Sequence, residues 1–159
     1  MLSETEGESE MLRKELIKLN VEAETSEEAL RIMAQAFVDS GVAKVSYPDA
    51  IVNREKTYPT ALPAMAFDIA VPHTFAEHVN EPAMGICVLK APVEFRQMGS
   101  PEITLHPQVL FMLAITDPED QISLLRKIMN LIQNPDALNQ IKDAKSVDEL
   151  YSVAYSNLF

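Results

Sequence analysis

The sequence predicts an α/β fold: a single-domain sandwich in which helices flank a mixed β-sheet. Short apolar runs of strand length occur at residues 69–71, 85–90 and 109–116. The last two are almost continuously apolar, which is typical of central strands buried on both faces. Helix-start patterns lie before and after these runs, and strands interleaved with helices favour a sheet covered by helices.

The first predicted elements are a strand and a long helix. Apolar and polar residues mix over residues 16–21, as in a first strand. Thr25 and Glu28 then form a T-x-x-E capping box, and Gly41 stands where a left-handed C-terminal cap belongs. The apolar face predicted for this helix consists of Leu30, Met33, Phe37 and Val38.

Prolines mark later helix starts. Pro48 falls in the first turn of a second, shorter helix that ends near residues 54–56. The Asp-Pro pair at 117–118 begins a third helix, and further helices follow from the Asn-Pro pair at 134–135 and a capping box over 146–149. The inward stripe predicted for the third helix is Ile122, Leu125, Met129 and Ile132.

Length and composition narrow the class of protein. The 159 residues suit one domain, and we expect a flexible acidic tail over residues 1–13 and a folded domain over 14–159. The single cysteine, Cys87, excludes an internal disulfide; together with the lack of a secretory signal it predicts a cytoplasmic location. No run approaches the ~18 apolar residues of a membrane span. The net charge of −11 argues against a nucleic-acid surface and against binding to anionic lipid.

His73 is the most informative residue. It follows an apolar run and Pro72, in the segment F-D-I-A-V-P-H-T. Proline fixes φ and ends the ladder, so we expect His73 to be held at a sheet edge where a partner protein can reach it. Histidine is largely neutral near pH 7 and nucleophilic enough to accept a phosphoryl group. A histidine ordered by packing alone is the alternative.

The sequence gives little support for nucleotide binding, metal binding or a cysteine nucleophile. Only four glycines are present, and neither a G-x-G-x-x-G pattern nor a P-loop occurs. The spacing of His73 and His78 matches no strong zinc pattern, so we predict no metal and no cofactor. Cys87 is predicted to be a buried apolar residue and not a nucleophile. His106, before a proline, is predicted to be a loop histidine without a special role.

Arg54 is one of only five arginines in a very acidic chain. It lies near the end of the second predicted helix, where a positive charge favours the negative end of the helix dipole. Its guanidinium is suited to binding a phosphoryl group through two parallel hydrogen bonds. A surface ion pair is the alternative.

These residues together resemble the enzyme IIA domain of the bacterial phosphotransferase system, fructose/mannitol superfamily. N-R-E-K-T-Y-P-T at residues 53–60, followed by I-A-V-P-H at residues 69–73, carries the resemblance, which extends from about Leu16 to the C-terminus. R-E-x-x-Y-P-T, the second histidine His78 and F-R-Q-M-G at residues 95–99 are similar to the galactitol-type branch.

The resemblance implies a phosphoryl relay in sugar transport. The phosphocarrier protein HPr would donate to Nε2 of His73, and a separate enzyme IIB would accept on its own cysteine. The membrane enzyme IIC would be an indirect partner. Arg54 occupies the position of the family's arginine, and Arg54, His78, Gln121 and Thr60 are expected to stabilise phosphate. Turn formation explains Thr60 at least as well.

Two positions depart from the mannitol and fructose types. Asp68 stands where those types usually carry glycine, and Gln121 replaces a second histidine at a helix start. Galactitol-type members resemble this chain in both respects. Gln121 can still donate an amide hydrogen bond to a phosphoryl oxygen, and His78 could take over part of the missing histidine's role.

Two further functions stay open. A regulatory enzyme IIA-like phosphorylation sensor has the same chemistry without a direct transport role. A catalytically silent relative would have His73 merely packed. For a phosphoryl carrier we expect an apolar docking patch around His73 that includes Phe75 and Val79, with burial of Phe75 in the core as the alternative.

Overall fold

The computed structural model describes residues 11–159 of the chain. Within that range one strand is followed by two helices, then by six strands with a short 3₁₀ turn among them, and finally by three helices. The strands are β1 (Leu12–Val21), β2 (Ala61–Leu62), β3 (Ile69–Ala70), β4 (Ala83–Leu89), β5 (Phe95–Gln97), β6 (Ser100–Leu105) and β7 (Val109–Ala114). The helices are α1 (Ser26–Asp39), α2 (Tyr47–Thr57), α3 (Pro118–Leu131), α4 (Pro135–Asp143) and α5 (Val147–Leu158), with a 3₁₀ turn at Ala76–His78.

All seven described strands form one mixed sheet in the order β1-β4-β7-β3-β2-β5-β6. β1 runs parallel to β4, and β3 runs parallel to β7, whereas β4 and β7 are antiparallel. Every residue of β4 and β7 is buried, so the prediction of two central strands is confirmed. The predicted α/β class with a mixed sheet is confirmed as well.

Each face of the sheet has its own hydrophobic core. One core joins α1 and α2 to the sheet and contains Phe37, Tyr47 and Leu110. The other joins α3, α4 and α5 to the opposite face and contains Phe111 and Ile128. Neighbouring residues of β7 therefore enter different cores, as the two-residue period of a strand requires.

The polar signals at the helix starts act as predicted. Thr25 Oγ1 accepts a 3.1 Å hydrogen bond from the Glu28 N–H, and Asp117 accepts from the Glu119 N–H at the start of α3. Gly41 has φ +82°, the left-handed conformation expected after α1. These bonds satisfy amide groups that have no partner inside the helix.

The start of the folded domain is corrected. β1 begins at Leu12, and Met11 is already buried, so residues 11–13 belong to the fold and not to the predicted tail. The rest of that tail, residues 1–10, lies outside the described residues. The strand predicted over 16–21 is thus longer than expected, and β2, β5 and β6 were not predicted. β2 has only two residues, too few to show a period.

The inward stripe predicted for α3 is wrong at two positions. Ile122 and Met129 are 59% and 42% exposed, and the residues that α3 buries are Leu124, Ile128 and Leu131. The helix carries two overlapping apolar stripes, and the spacing of either one fits a helix. Packing against β7 selects between them, and that information is absent from the local pattern.

Gly85, in β4, permits close approach of β1 and α1. A methyl group added there would lie 2.6 Å from the Leu16 carbonyl oxygen and 2.8 Å from Phe37 Cε1. The oxygen belongs to the backbone and cannot rotate away. We expect Gly85→Ala to destabilise the protein by about 1–3 kcal/mol, as overpacked cores do. A urea denaturation midpoint equal to that of the wild type would contradict this close packing.

Within residues 11–159, no helix combines the length and the apolar character that crossing a bilayer requires.

Candidate functional site

His73 lies just beyond the end of β3, an interior strand. The ladder continues past Ala70, because the Val71 N–H donates to the Thr60 carbonyl at 3.1 Å and the Leu113 N–H donates to the Pro72 carbonyl at 2.9 Å. Pro72 has no N–H and ends the donor series. His73 is therefore held at the carboxyl end of an interior strand, and the predicted sheet edge is this end and not a lateral edge strand.

The tautomer of His73 follows from its backbone contact. Nδ1 lies 2.8 Å from the Val71 carbonyl oxygen. Because a carbonyl only accepts, Nδ1 carries the hydrogen and donates it, and the neutral ring has its lone pair on Nε2. The sequence left this acceptor unidentified, and the structure supplies it. Nε2 faces the side-chain amide of Gln121, whose nitrogen is 3.5 Å away.

His73 is more buried than expected, with 7% of its surface exposed. Burial lowers its pKa below the ordinary value, the bond to Val71 raises it, and the positive charge of Arg54 lowers it again. The net direction is downward, so the ring is neutral at pH 7 and its Nε2 lone pair is available. The opening through which a donor reaches the ring is small.

The lowered pKa of His73 is directly measurable. We expect its ¹⁵N or ¹H NMR titration to have a midpoint below 6.5, the ordinary value for histidine. Since the folded pKa lies below the unfolded one, the stability that His73 contributes is present above pH 6.5 and is lost as the pH falls through the folded pKa. A midpoint at or above 6.5 would contradict the buried neutral ring. The exposed His106 supplies a second signal in the same experiment.

Arg54 lies in the last turn of α2, between two aromatic side chains. Its guanidinium carbon is 5.0 Å from the ring centre of Tyr58 and 4.7 Å from that of Phe75. Nε is buried and has no hydrogen-bond partner among the described residues. The two rings hold the plane of the guanidinium, and the anion-binding role expected of Arg54 stays a prediction.

A groove of about 360 Å³ lies beside this stack, between α2 and the 3₁₀ turn. Arg54 and His78 both line it, and His78 Nδ1 is 2.8 Å from Ser46 Oγ. The structure therefore brings Arg54 and His78 together in the groove, and it places Gln121 at His73 Nε2. The charge of Arg54 acts on His73, and no hydrogen bond or ion pair joins His73 to His78 among the contacts of residues 11–159.

Thr60 has a different partner from the predicted phosphate. It is 2% exposed, and its N–H donates to Oε1 of Glu55 at 2.9 Å. Its hydroxyl donates to the same carboxylate, with Oγ1 at 3.0 Å from Oε1 and 2.9 Å from Oε2. The donors of Thr60 are thus engaged by Glu55, and its expected phosphate-stabilising role stays an untested prediction. The hydroxyl shapes the turn that follows α2, which is the alternative explanation from the sequence.

Glu55 was missed by the sequence reasoning. Burial raises the pKa of Glu55 to about 7. The hydrogen bonds from Thr60 and the positive charge of Arg54 act in the opposite direction but are smaller effects. The available signal was a glutamate at the end of a helix, five residues before a threonine in a Tyr-Pro-Thr turn. Such a side chain can reach the turn and cap its free amide groups.

Exposed apolar side chains surround the site. Tyr58, Phe75 and Ile122 are 61%, 58% and 59% exposed, and we call these three the apolar rim. The exposure of Phe75 confirms its predicted place at the surface, whereas Val79 is buried and does not belong to the rim. Cys87 is buried in β4, as predicted, and burial raises the pKa of its thiol to about 12.

Comparison with known proteins identifies the family. Residues 10–156 match the family described as "Phosphoenolpyruvate-dependent sugar phosphotransferase system, EIIA 2". Since this match covers nearly the whole chain, the protein belongs to that family. The family description places EIIA within a phosphoenolpyruvate-dependent sugar phosphotransferase system.

Two relatives of similar size are enzyme IIA components. The chain is 30% identical over 135 residues to the mannitol-specific phosphotransferase enzyme IIA component of Enterococcus faecalis, covering 84% of this chain and 90% of that protein. It is 25% identical over 114 residues to the galactitol-specific EIIA component of Escherichia coli K12, covering 72% of this chain and 75% of that protein.

Other relatives are much longer. The chain is 24% identical over 152 residues to the "Probable licABCH operon regulator" of Bacillus subtilis. This match covers 94% of this chain but only 22% of the length of that protein. The fold is similar to enzyme IIA in the solved complex of enzyme IIA mannitol and phosphorylated enzyme IIB mannitol from Escherichia coli. The TM-score is 0.74 at 22% identity, covering 91% of this chain and 99% of that chain.

Proposed function

We propose that this chain is a phosphoryl carrier that accepts phosphate from phospho-HPr on Nε2 of His73 and passes it to a cysteine of a separate enzyme IIB. The observation that carries the proposal is the 2.8 Å contact between His73 Nδ1 and the Val71 carbonyl. It fixes the hydrogen on Nδ1 and leaves Nε2 as the nucleophile.

The transfer needs little covalent help from the protein. The Nε2 lone pair forms the new N–P bond as the N–P bond of the donor breaks, and Nδ1 keeps its hydrogen bond to Val71. In the second step the N–P bond of His73 breaks as a cysteine sulfur of enzyme IIB forms an S–P bond. Such in-line transfers depend on positioning and on stabilising charge on the three equatorial oxygens.

Arg54 and Gln121 are the proposed stabilising groups. The guanidinium of Arg54 is held between two rings, and its charge already acts on His73. The Gln121 amide nitrogen, at 3.5 Å from Nε2, is placed to donate to a phosphoryl oxygen once Nε2 is substituted. His78 lines the groove with Arg54 and is proposed as a secondary contributor.

The apolar rim supports a docking role for this end of the sheet. A relay protein must release each partner quickly, so a modest interface with electrostatic steering suffices. Two residues of the rim contact Arg54, and the third follows Gln121 in sequence, so a partner that covers the rim brings its own phosphoryl-bearing residue close to Nε2. The structural likeness to enzyme IIA bound to phosphorylated enzyme IIB supports enzyme IIB as one such partner. The cytoplasmic location stays a prediction.

The galactitol-type assignment is a finer proposal. Gln121 and Asp68 stand at the two positions where the chain departs from the mannitol and fructose types, and the galactitol-specific relative supports the assignment. The test offers the phosphorylated protein to galactitol-type and mannitol-type enzyme IIB in parallel. Faster transfer to the galactitol type is expected, and faster transfer to the mannitol type would contradict the assignment.

A regulatory role is the second candidate, because the chain matches a segment of an operon regulator over 94% of its length. A phosphorylation sensor accepts phosphate but need not pass it to enzyme IIB. Acceptance from phospho-HPr without transfer to any enzyme IIB would favour the sensor over the carrier.

The experiment that tests the proposed function is reconstitution. The protein is incubated with phosphoenolpyruvate, enzyme I and HPr and then analysed by mass spectrometry. We expect an acid-labile gain of about 80 Da, located on the peptide that contains His73. No gain, or a gain on another peptide, would contradict the proposal.

A further inference from the structure

We propose that Glu55 is a positioning residue for phosphoryl transfer, which sets the place and tautomer of His73 through Thr60 and Val71. This inference rests on the proposed function of His73. Glu55 lies outside the groove that contains Arg54 and His78, so it acts through other residues and does not touch phosphate.

The first hydrogen bonds between Glu55 and His73 join helix α2 to the turn that follows it. Both donors of Thr60, its N–H and its hydroxyl, end on the Glu55 carboxylate at 2.9–3.0 Å. Thr60 is 2% exposed, so its two donors are shielded from solvent water. Two hydrogen bonds to one half-buried carboxylate hold both the backbone and the side chain of Thr60.

The next hydrogen bonds join this turn to the histidine. The Thr60 carbonyl accepts from the Val71 N–H at 3.1 Å, and the Val71 carbonyl accepts from His73 Nδ1 at 2.8 Å. Val71 is fully buried, so solvent water does not reach its carbonyl to compete with the His73 N–H. An unbroken series of hydrogen bonds therefore runs from the Glu55 carboxylate to the imidazole.

Charged side chains lie near the Glu55 carboxylate on the side away from the groove. Glu55 lines a cavity of about 200 Å³ on the other side of α2, whose charged neighbours are Glu27, Lys56, Glu94 and Arg96. Burial raises the pKa of Glu55 to about 7. Burying an acidic group is costly unless it is hydrogen-bonded, and the two donors of Thr60 supply those bonds. The ionised carboxylate offers two acceptor oxygens to Thr60, whereas protonation takes up one of them and weakens the series of hydrogen bonds.

The test compares an apolar and a conservative variant. Glu55→Leu removes both acceptors, whereas Glu55→Gln keeps one acceptor oxygen. We expect Glu55→Leu to lower the rate of phosphorylation by phospho-HPr by about 10-fold to 100-fold, the range of a lost hydrogen bond to a charged group, and Glu55→Gln to restore most of it. Glu94→Leu is the matched control, since Glu94 lines the same cavity but is exposed, and its rate should equal that of the wild type.

A second readout separates positioning from mere stability. ¹⁵N NMR of the unphosphorylated protein reports the tautomer of His73, and it does not depend on phosphoryl transfer. We expect Glu55→Leu, and likewise Thr60→Val, to move the population from the Nδ1–H toward the Nε2–H tautomer, with Thr60→Ser retaining the wild-type signal. A lower unfolding midpoint with an unchanged tautomer and rate overturns the inference.

The outcomes distinguish the two proposals. A wild-type protein that takes up no phosphate refutes the proposed function, while the NMR signals still decide whether Glu55 positions His73. If Glu55→Leu and Thr60→Val do not fold, the wild type is titrated with labelled glutamate and histidine. A step in the His73 Nδ1 signal at the titration midpoint of the Glu55 carboxyl supports the inference, and independent titrations overturn it.

Discussion

Replacing His73 with alanine is expected to abolish phosphoryl acceptance from phospho-HPr, whereas His78→Ala and Gln121→Ala only slow it. The variant His73→Ala removes the atom that forms the N–P bond, so no residual path exists. Gln121 contributes one neutral hydrogen bond, at 3.5 Å from Nε2 in the free protein. The loss of one such bond corresponds to about a 2-fold to 10-fold slower transfer.

Stopped-flow or quench-flow transfer from ³²P-labelled HPr measures these rates directly. Circular dichroism of each variant confirms that the fold is retained. Complete loss in all three variants would refute this division of roles, because it would make Gln121 or His78 as essential as the nucleophile. Undiminished acceptance by His73→Ala would remove His73 from the reaction altogether.

Replacing Arg54 has the second largest expected effect. A preorganised donor at a group that develops charge is worth about 10²-fold to 10³-fold in rate, and Arg54→Gln should lose about that much. We expect Arg54→Lys to recover only part of the loss. Lysine keeps the charge, but it lacks the planar group that lies between the rings of Tyr58 and Phe75 and donates two parallel bonds.

Single-turnover phosphorylation of the Arg54 variants is compared with that of Arg96→Gln. Arg96 is an exposed arginine that donates to Thr104 Oγ1 on the neighbouring strand, and its loss removes the same charge away from His73. A rate for Arg54→Gln equal to that of Arg96→Gln would show that Arg54 acts only through the overall charge of the protein. A full recovery in Arg54→Lys would show that the planar group is not needed.

The parts of the fold that were predictable depend on local signals. Thr25 and Glu28 lie three residues apart and meet within one helical turn, so their bond needs no knowledge of the rest of the chain. β4 and β7 are continuously apolar because both of their faces are covered. This property can be recognised from the sequence of each strand alone. The predicted ends of α2 rest on the same kind of evidence.

The parts that were missed depend on long-range packing. Which stripe of α3 turns inward is decided by the sheet below it, and Ile122 lies outside because Leu124 and Ile128 fill the core. The acceptor for His73 Nδ1 is a backbone carbonyl, which every residue possesses, so no sequence pattern can mark it. Thr60 was identified as notable, but the carboxylate that binds it was not.

The burial of His73 also depends on long-range packing. Its strand end was predictable from Pro72, but the Gln121 side chain arrives from a helix 48 residues away in sequence. That contact brings α3 against the ring, and together with the buried strand it leaves 7% of His73 exposed. The position was therefore predictable and the exposure was not.

The central claim is that the Val71 carbonyl holds the hydrogen on Nδ1 and so reserves Nε2 for the phosphoryl group. The most direct measurement is ¹⁵N NMR of the phosphorylated protein with ¹⁵N-labelled histidine, in which coupling to phosphorus identifies the bonded nitrogen. The predicted result is phosphorus on Nε2 of His73, with Nδ1 still protonated and slow to exchange. Phosphorus on Nδ1, or on a different histidine, would contradict it.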